Sequence, residues 1–124
     1  MSNLTDLQQR IWQINEDKGF HEDRPDGGQE LAQWQGNKLM LIVSEAVEAH
    51  DEIRNGKPAH MTYYPTESLF LKGPHKPEGV PSEIADIVIR CFDFAGTEGF
   101  DLGQIIEEKI AYNMTRPYKH SKAF

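Results

Sequence analysis

Apolar residues along the chain recur at helical spacing. Leu4, Leu7, Ile11 and Ile14 share one stripe, which predicts an amphipathic helix over about 4–18 that stops at Gly19. HEDRPDGGQ, with one proline and two glycines, reads as a turn. A longer helix is predicted from about 29 or 31 to 54. Its apolar stripe is Leu39, Ile42, Val43, Ala46, Ala49 and Ile53, and Asn55-Gly56 is its stop. Pro81 suits the first turn of a third helix, which carries Ile84, Ile87, Val88, Cys91, Phe92 and Ala95 and ends near Gly96. Asp101 opens a fourth, with Gln104 three residues on in a capping-box arrangement. Ile105, Ile106, Ile110 and Met114 form its stripe, and Pro117 ends it. No useful stretch alternates with period two. The expected fold is all-α: one domain over 1–124, an antiparallel bundle of four to five helices.

The helical pattern fails between about 57 and 80. Four prolines and two glycines in KPAHMTYYPTESLFLKGPHKPEG rule out a continuous helix. Tyr63, Tyr64, Leu69, Phe70 and Leu71 nevertheless give this loop something to bury, unlike a disordered linker.

Composition narrows the partners. Apolar residues make up 38% of the 124, low for a self-contained globule, so part of the core is expected to be completed by a second subunit. A net charge of −7 argues against nucleic-acid polymers and anionic membranes, which need a basic footprint. It leaves room for a small phosphorylated substrate, because a bound divalent cation inverts the local field. The single cysteine, Cys91, lies in an apolar run and reads as a small buried hydrophobe. With no apolar signal core in MSNLTDLQQR and no run long enough to span a bilayer, a cytoplasmic location is expected.

The second helix also carries an unusual acidic seam. In SEAVEAHDEIRNG, Glu45, Glu48, Asp51 and Glu52 precede the first basic residue, Arg54. Residues three apart on a helix have β-carbons roughly 5–6 Å apart, so Glu45 and Glu48 can converge on one ion. SEIADIVIR repeats the device with Glu83 and Asp86. Two such pairs facing each other make a four-carboxylate cage, whose oxygen-only ligands suit magnesium or manganese better than zinc. A single E-x-x-E pair is common on solvated helix faces; two pairs on the two most apolar helices are less so. No E-x-x-H occurs, which disfavours a ferritin-like di-iron centre.

The C-terminal stretch EKIAYNMTRPYKHSKAF offers complementary groups. Lys109 and Asn113 share a face, Arg116 follows at the helix end, and then come Lys119, His120 and Lys122. A cation and an amide aimed at a carboxylate cage would hold phosphate oxygens.

Taken in order, KLMLIVSEAVEAHDEIRNG, PEGVPSEIADIVIRCFDFAG and EKIAYNMTRPYKH resemble the MazG-like branch of the all-α nucleoside triphosphate pyrophosphohydrolases. The resemblance covers the chain from about Gly19 to the end and implies an inserted loop at about 57–80. It implies magnesium-dependent hydrolysis of a nucleoside or deoxynucleoside triphosphate to the monophosphate and pyrophosphate, a house-cleaning reaction. Glu45, Glu48, Glu83 and Asp86 would be the metal ligands, and Lys109 and Asn113 would contact the phosphates, with Arg116 and Tyr118 beside them. Glu48 is the candidate general base, Lys109 the catalytic cation that would stabilise charge developing on the phosphates, and a homodimer or homotetramer is implied. Two features depart from the family pattern: Ser44 stands where a further glutamate is frequent, and 34 residues separate Glu48 from Glu83. Trp34 is the first candidate for stacking on a base, with Trp12, His21 and Tyr63-Tyr64 as others; each is also an ordinary core or interface aromatic. The rival reading is a non-catalytic helical module whose acidic face binds a protein or regulates one; a cation beside the cage argues against it.

Overall fold

A computed structural model describes residues 3–66 and 73–118 of the chain. Leu69, Phe70, Leu71, Lys119, His120 and Lys122 lie outside the described residues. Within them are four helices: α1 (Asn3–Asp17), α2 (Gly28–Arg54), α3 (Val80–Glu98) and α4 (Leu102–Met114). The pattern-based boundaries hold to within about two residues, the usual uncertainty of a helix end. Asp101 is the N-cap of α4, its carboxylate accepting from the Gln104 backbone N–H. The Thr5 hydroxyl donates to the same carboxylate, tying α1 to the start of α4.

Gly96 does not end α3. The helix runs to Glu98 and terminates at Gly99, which adopts the left-handed conformation (φ 85°) that favours glycine. Gly96 is instead a contact point, since a β-carbon there would sit 2.9 Å from Trp12 Cδ1. Trp12 packs against bare backbone and stacks on His21 with centroids 5.3 Å apart. Position 96 therefore stays small for packing.

Helix α3 is the centre of the fold, packing against both α1 and α2. Gln35, early in α2, bonds Glu98 at the end of α3, whereas Glu45, later in α2, meets Arg90. The two helices are therefore antiparallel. The turn after α1 is fastened to α3 by Arg24, which donates Nε and Nη2 to Glu98, and by His21 between Glu16 and Asp93.

The loop after α2 doubles back on itself. Tyr63 and Glu78 exchange both backbone hydrogen bonds, at 3.0 and 2.8 Å. A side chain at Gly79 would run into the Met61 carbonyl, so the return path needs glycine. The Tyr63 hydroxyl donates to Glu52, and that anion pushes the phenol up to about 12. The loop is thereby held against the acidic end of α2.

The apolar stripe of α2 is split: Ile42 and Ala49 are covered, whereas Leu39, Val43, Ala46 and Ile53 are exposed. The less exposed positions of α2 include Gln35, Lys38, Ile42, Glu45, Ala49 and Glu52, of which Gln35 and Glu45 bond α3 and Glu52 bonds Tyr63, while Val47 is exposed with the rest. Among the described residues the buried apolar side chains are Ala49, Phe92 and Ala95, a very small core. Ile105, Ile110 and Met114 of α4, which packs on α1, are exposed as well. Among the described residues no helix is long and apolar enough to cross a membrane.

Candidate metal centre and adjoining cleft

Three of the four expected ligands meet between α2 and α3. One carboxylate oxygen each from Glu45, Glu83 and Asp86 lies within 4.8 Å of the others. The arrangement follows from helical geometry: Glu83 and Asp86 share one face of α3, and Glu45 is the α2 residue packed opposite. Glu48 stands outside this triad, exposed one turn on, but hydrogen-bonds with Glu45 and lines the same cleft. That cleft, about 420 Å³, is walled by Glu45, Glu48, Asp51, Glu52, Glu78, Glu83 and Asp86, with Lys76 at its rim.

Mutual repulsion leaves its mark on these acids. A hydrogen bond with Glu45, burial and the charge of Glu48 push Glu83 up to about 8, so at neutral pH it retains a proton. Glu45 is held below the usual carboxylate range, chiefly by that hydrogen bond with Glu83 and further by Glu48 and Arg90. The neighbouring Glu45 raises Glu48, and burial followed by the Glu45 charge raises Asp86. Glu83 Oε2 is buried and has no hydrogen-bond partner. A buried, unsatisfied carboxylate oxygen beside two further acids is the chemistry a hard divalent ion satisfies. The donor set fits magnesium or manganese.

Arg90 lies outside the acidic pairs and the C-terminal basic stretch that the spacing singles out. Its Nε and Nη2 both lie 3.1 Å from Glu45 Oε1. The signal was present, because Glu83, Asp86 and Arg90 fall at i, i+3 and i+7 on one face of α3.

A second, larger cleft of about 650 Å³ begins at the same acids. Glu45 and Asp86 line both, and from them the larger cleft passes Arg90, Asp93, Phe94 and Lys38 to Phe20 and Trp34. Trp34 donates Nε1–H to Asp23, and the Lys38 ammonium lies 4.8 Å from its ring centroid. Trp34 thus lines the same cleft as Glu45 and Asp86. Trp12 and His21 are instead part of the α1–α3 packing, and Tyr63 is bonded to Glu52.

The structure does not bring the α4 candidates to the acids. Lys109, Asn113, Arg116 and Tyr118 are exposed and line neither cleft; the Lys109 ammonium lies 5.9 Å from the Tyr112 ring. Ser44 donates back to the Leu41 carbonyl and takes no part in the centre. Cys91 is half-buried rather than buried, and what burial it has raises its thiol. Comparison of the chain with family models, curated proteins and solved structures returned no match.

Proposed function

We propose that the chain hydrolyses a nucleoside or deoxynucleoside triphosphate to the monophosphate and pyrophosphate in the manner of the MazG-like enzymes, using a divalent cation. One observation carries this reading: carboxylates from two helices converge in the wall shared by an acidic cleft and a larger one that is also lined by Trp34, Phe20 and Phe94. A cleft of about 650 Å³ lies within the usual range for small-ligand sites. Magnesium, with manganese as its substitute, would neutralise the phosphate oxygens and favour ionisation of an attacking water. Glu45, Glu83 and Asp86 would hold it. Glu48 is exposed beside the triad and held above the ordinary carboxylate range, which makes it the better proton acceptor and our general base. Trp34 supplies the surface for the base, with Lys38 alongside. The test is release of pyrophosphate from a panel of NTPs and dNTPs with magnesium. Release from at least one is expected; none from any would overturn the reading and leave the acidic face as a docking surface.

Lys109, Asn113, Arg116 and Tyr118 enter this scheme through assembly. A monomer of 14.2 kDa ordinarily exposes about 6,800 Å². This chain exposes 9344 Å². The excess, about 2,600 Å² per chain on that scaling and so about 5,200 Å² over two copies, reaches the upper end of what obligate interfaces bury in total. Leu39, Val43 and Val47 of α2, with Ile105 and Ile110 of α4, supply apolar surface for it. A homodimer or homotetramer covering these faces would let one copy's α4 approach the acids of another. Light scattering should give a mass at least twice 14.2 kDa, and a stable monomer would overturn the assembly.

A further inference from the structure

Arg90 belongs to the larger cleft, and its carboxylate partner belongs to both. Glu45 lines the acidic cleft and the larger one, whereas Arg90 lines only the larger of the two. The guanidinium places Nε and Nη2 on a single oxygen, Glu45 Oε1, leaving Oε2 outside this pair of contacts. The two ends of the bridge also differ in exposure: the side chain of Glu45 is 10% exposed and that of Arg90 is 40% exposed. An ion pair open to water on one side is weak and exchanges at little cost. A carboxylate bound to a dication has little attraction left for a guanidinium. Once released, Arg90 would present a planar set of donors to a cleft sized for a nucleotide, and that fork matches phosphate oxygens.

We infer that Arg90 is a positioning residue exchanged between two anions: it holds Glu45 in place before the cation is bound, and takes an oxygen of the triphosphate chain once Glu45 serves the cation. The inference rests on the proposed cation-dependent function and adds a competition to it. Arginine and cation claim the same carboxylate, so removing the arginine strengthens cation binding while weakening phosphate binding. A residue needed only for structural integrity would weaken both.

The experiment uses the full chain and two probes: Mn²⁺ alone, followed by electron paramagnetic resonance, and the manganese–tripolyphosphate complex, followed by calorimetry. Arg90→Gln should bind Mn²⁺ about three- to fivefold more tightly than wild type, the scale of a partly exposed ion pair. It should bind the tripolyphosphate complex about tenfold or more weakly, having lost charge-assisted donors. Arg90→Lys keeps the charge and loses the fork, so Mn²⁺ affinity should stay near wild type while the tripolyphosphate complex weakens several-fold. Should Arg90→Gln fail to fold, the lysine variant decides alone: unchanged affinity for the tripolyphosphate complex overturns the inference. Equal or weaker Mn²⁺ binding by folded Arg90→Gln, in a protein whose wild type binds Mn²⁺, overturns the exchange and leaves the cation site standing. A wild type that binds no Mn²⁺ removes both.

Discussion

Glu45→Gln and Asp86→Asn are each expected to lower pyrophosphate release by roughly a hundred- to a thousandfold, the usual cost of removing one preorganised electrostatic contact. Both substitutions keep the size of the side chain and remove its charge. Glu45 is the buried member of the triad, and Asp86 lies one helical turn from Glu83. A neutral amide at either position leaves two carboxylates where three converged, so Mn²⁺ affinity should fall together with turnover. Glu48→Gln separates the roles, because Glu48 lines the cleft outside the triad. Its turnover should drop while Mn²⁺ affinity stays within a few-fold of wild type. Asp51→Asn, at the exposed edge of the same cleft, should change either quantity by no more than a few-fold. Circular dichroism checks that each variant is folded, since Glu45→Gln also leaves Arg90 with a neutral acceptor. Full activity in both Glu45→Gln and Asp86→Asn would show that the triad is not the reaction centre.

Spacing singled out Glu45, Glu83 and Asp86, together with Glu48 that stands outside their cluster, because all four follow helical periodicity. The cap at Asp101, the stop at Asn55-Gly56 and the proline at the start of α3 are local signals, read within a few residues. What spacing could not say is which stripe of a two-faced helix turns inward. On α2 the stripe placed Ala49 and Ile42 inward correctly, yet Leu39 and Val43 of the same stripe are exposed and the buried neighbour of Ala49 is the charged Glu45. An apolar stripe demands cover, but the sequence does not specify whether its own chain or another supplies it. The same ambiguity hides the role of Lys109, whose place beside an apolar stripe on α4 was legible and whose partner was not. Gly96 misled for a different reason. A glycine after a periodic run usually ends a helix, and only the three-dimensional position of Trp12 shows it as a point of close approach. Arg90 was readable from its register with Glu83 and Asp86, but register gives a shared face and not a partner on α2.

In the cation-free protein, thermal stability is expected to fall as pH rises from about 5 to about 8, and Glu83 sets the direction. Its pKa in the folded chain is pushed up from 4.5 to about 8 by the Glu45 hydrogen bond, burial and the charge of Glu48. Between those values the folded protein holds a proton that the unfolded chain has released. Stability therefore declines with pH through this window, and the loss is complete once pH passes the folded value. Glu45 is displaced in the opposite direction, so its contribution is lost only as pH falls below the usual carboxylate range. Cation binding needs the deprotonated triad. Millimolar magnesium should accordingly raise the melting temperature by several degrees near pH 8 and by little near pH 5. Glu83→Gln mimics the protonated acid at every pH. It should melt higher than wild type at pH 8 without cation, flatten the pH slope and abolish the response to magnesium. A parallel slope in wild type and Glu83→Gln would mean that the carboxylates between α2 and α3 do not share a proton. A magnesium response that survives the substitution would place the cation elsewhere in the chain.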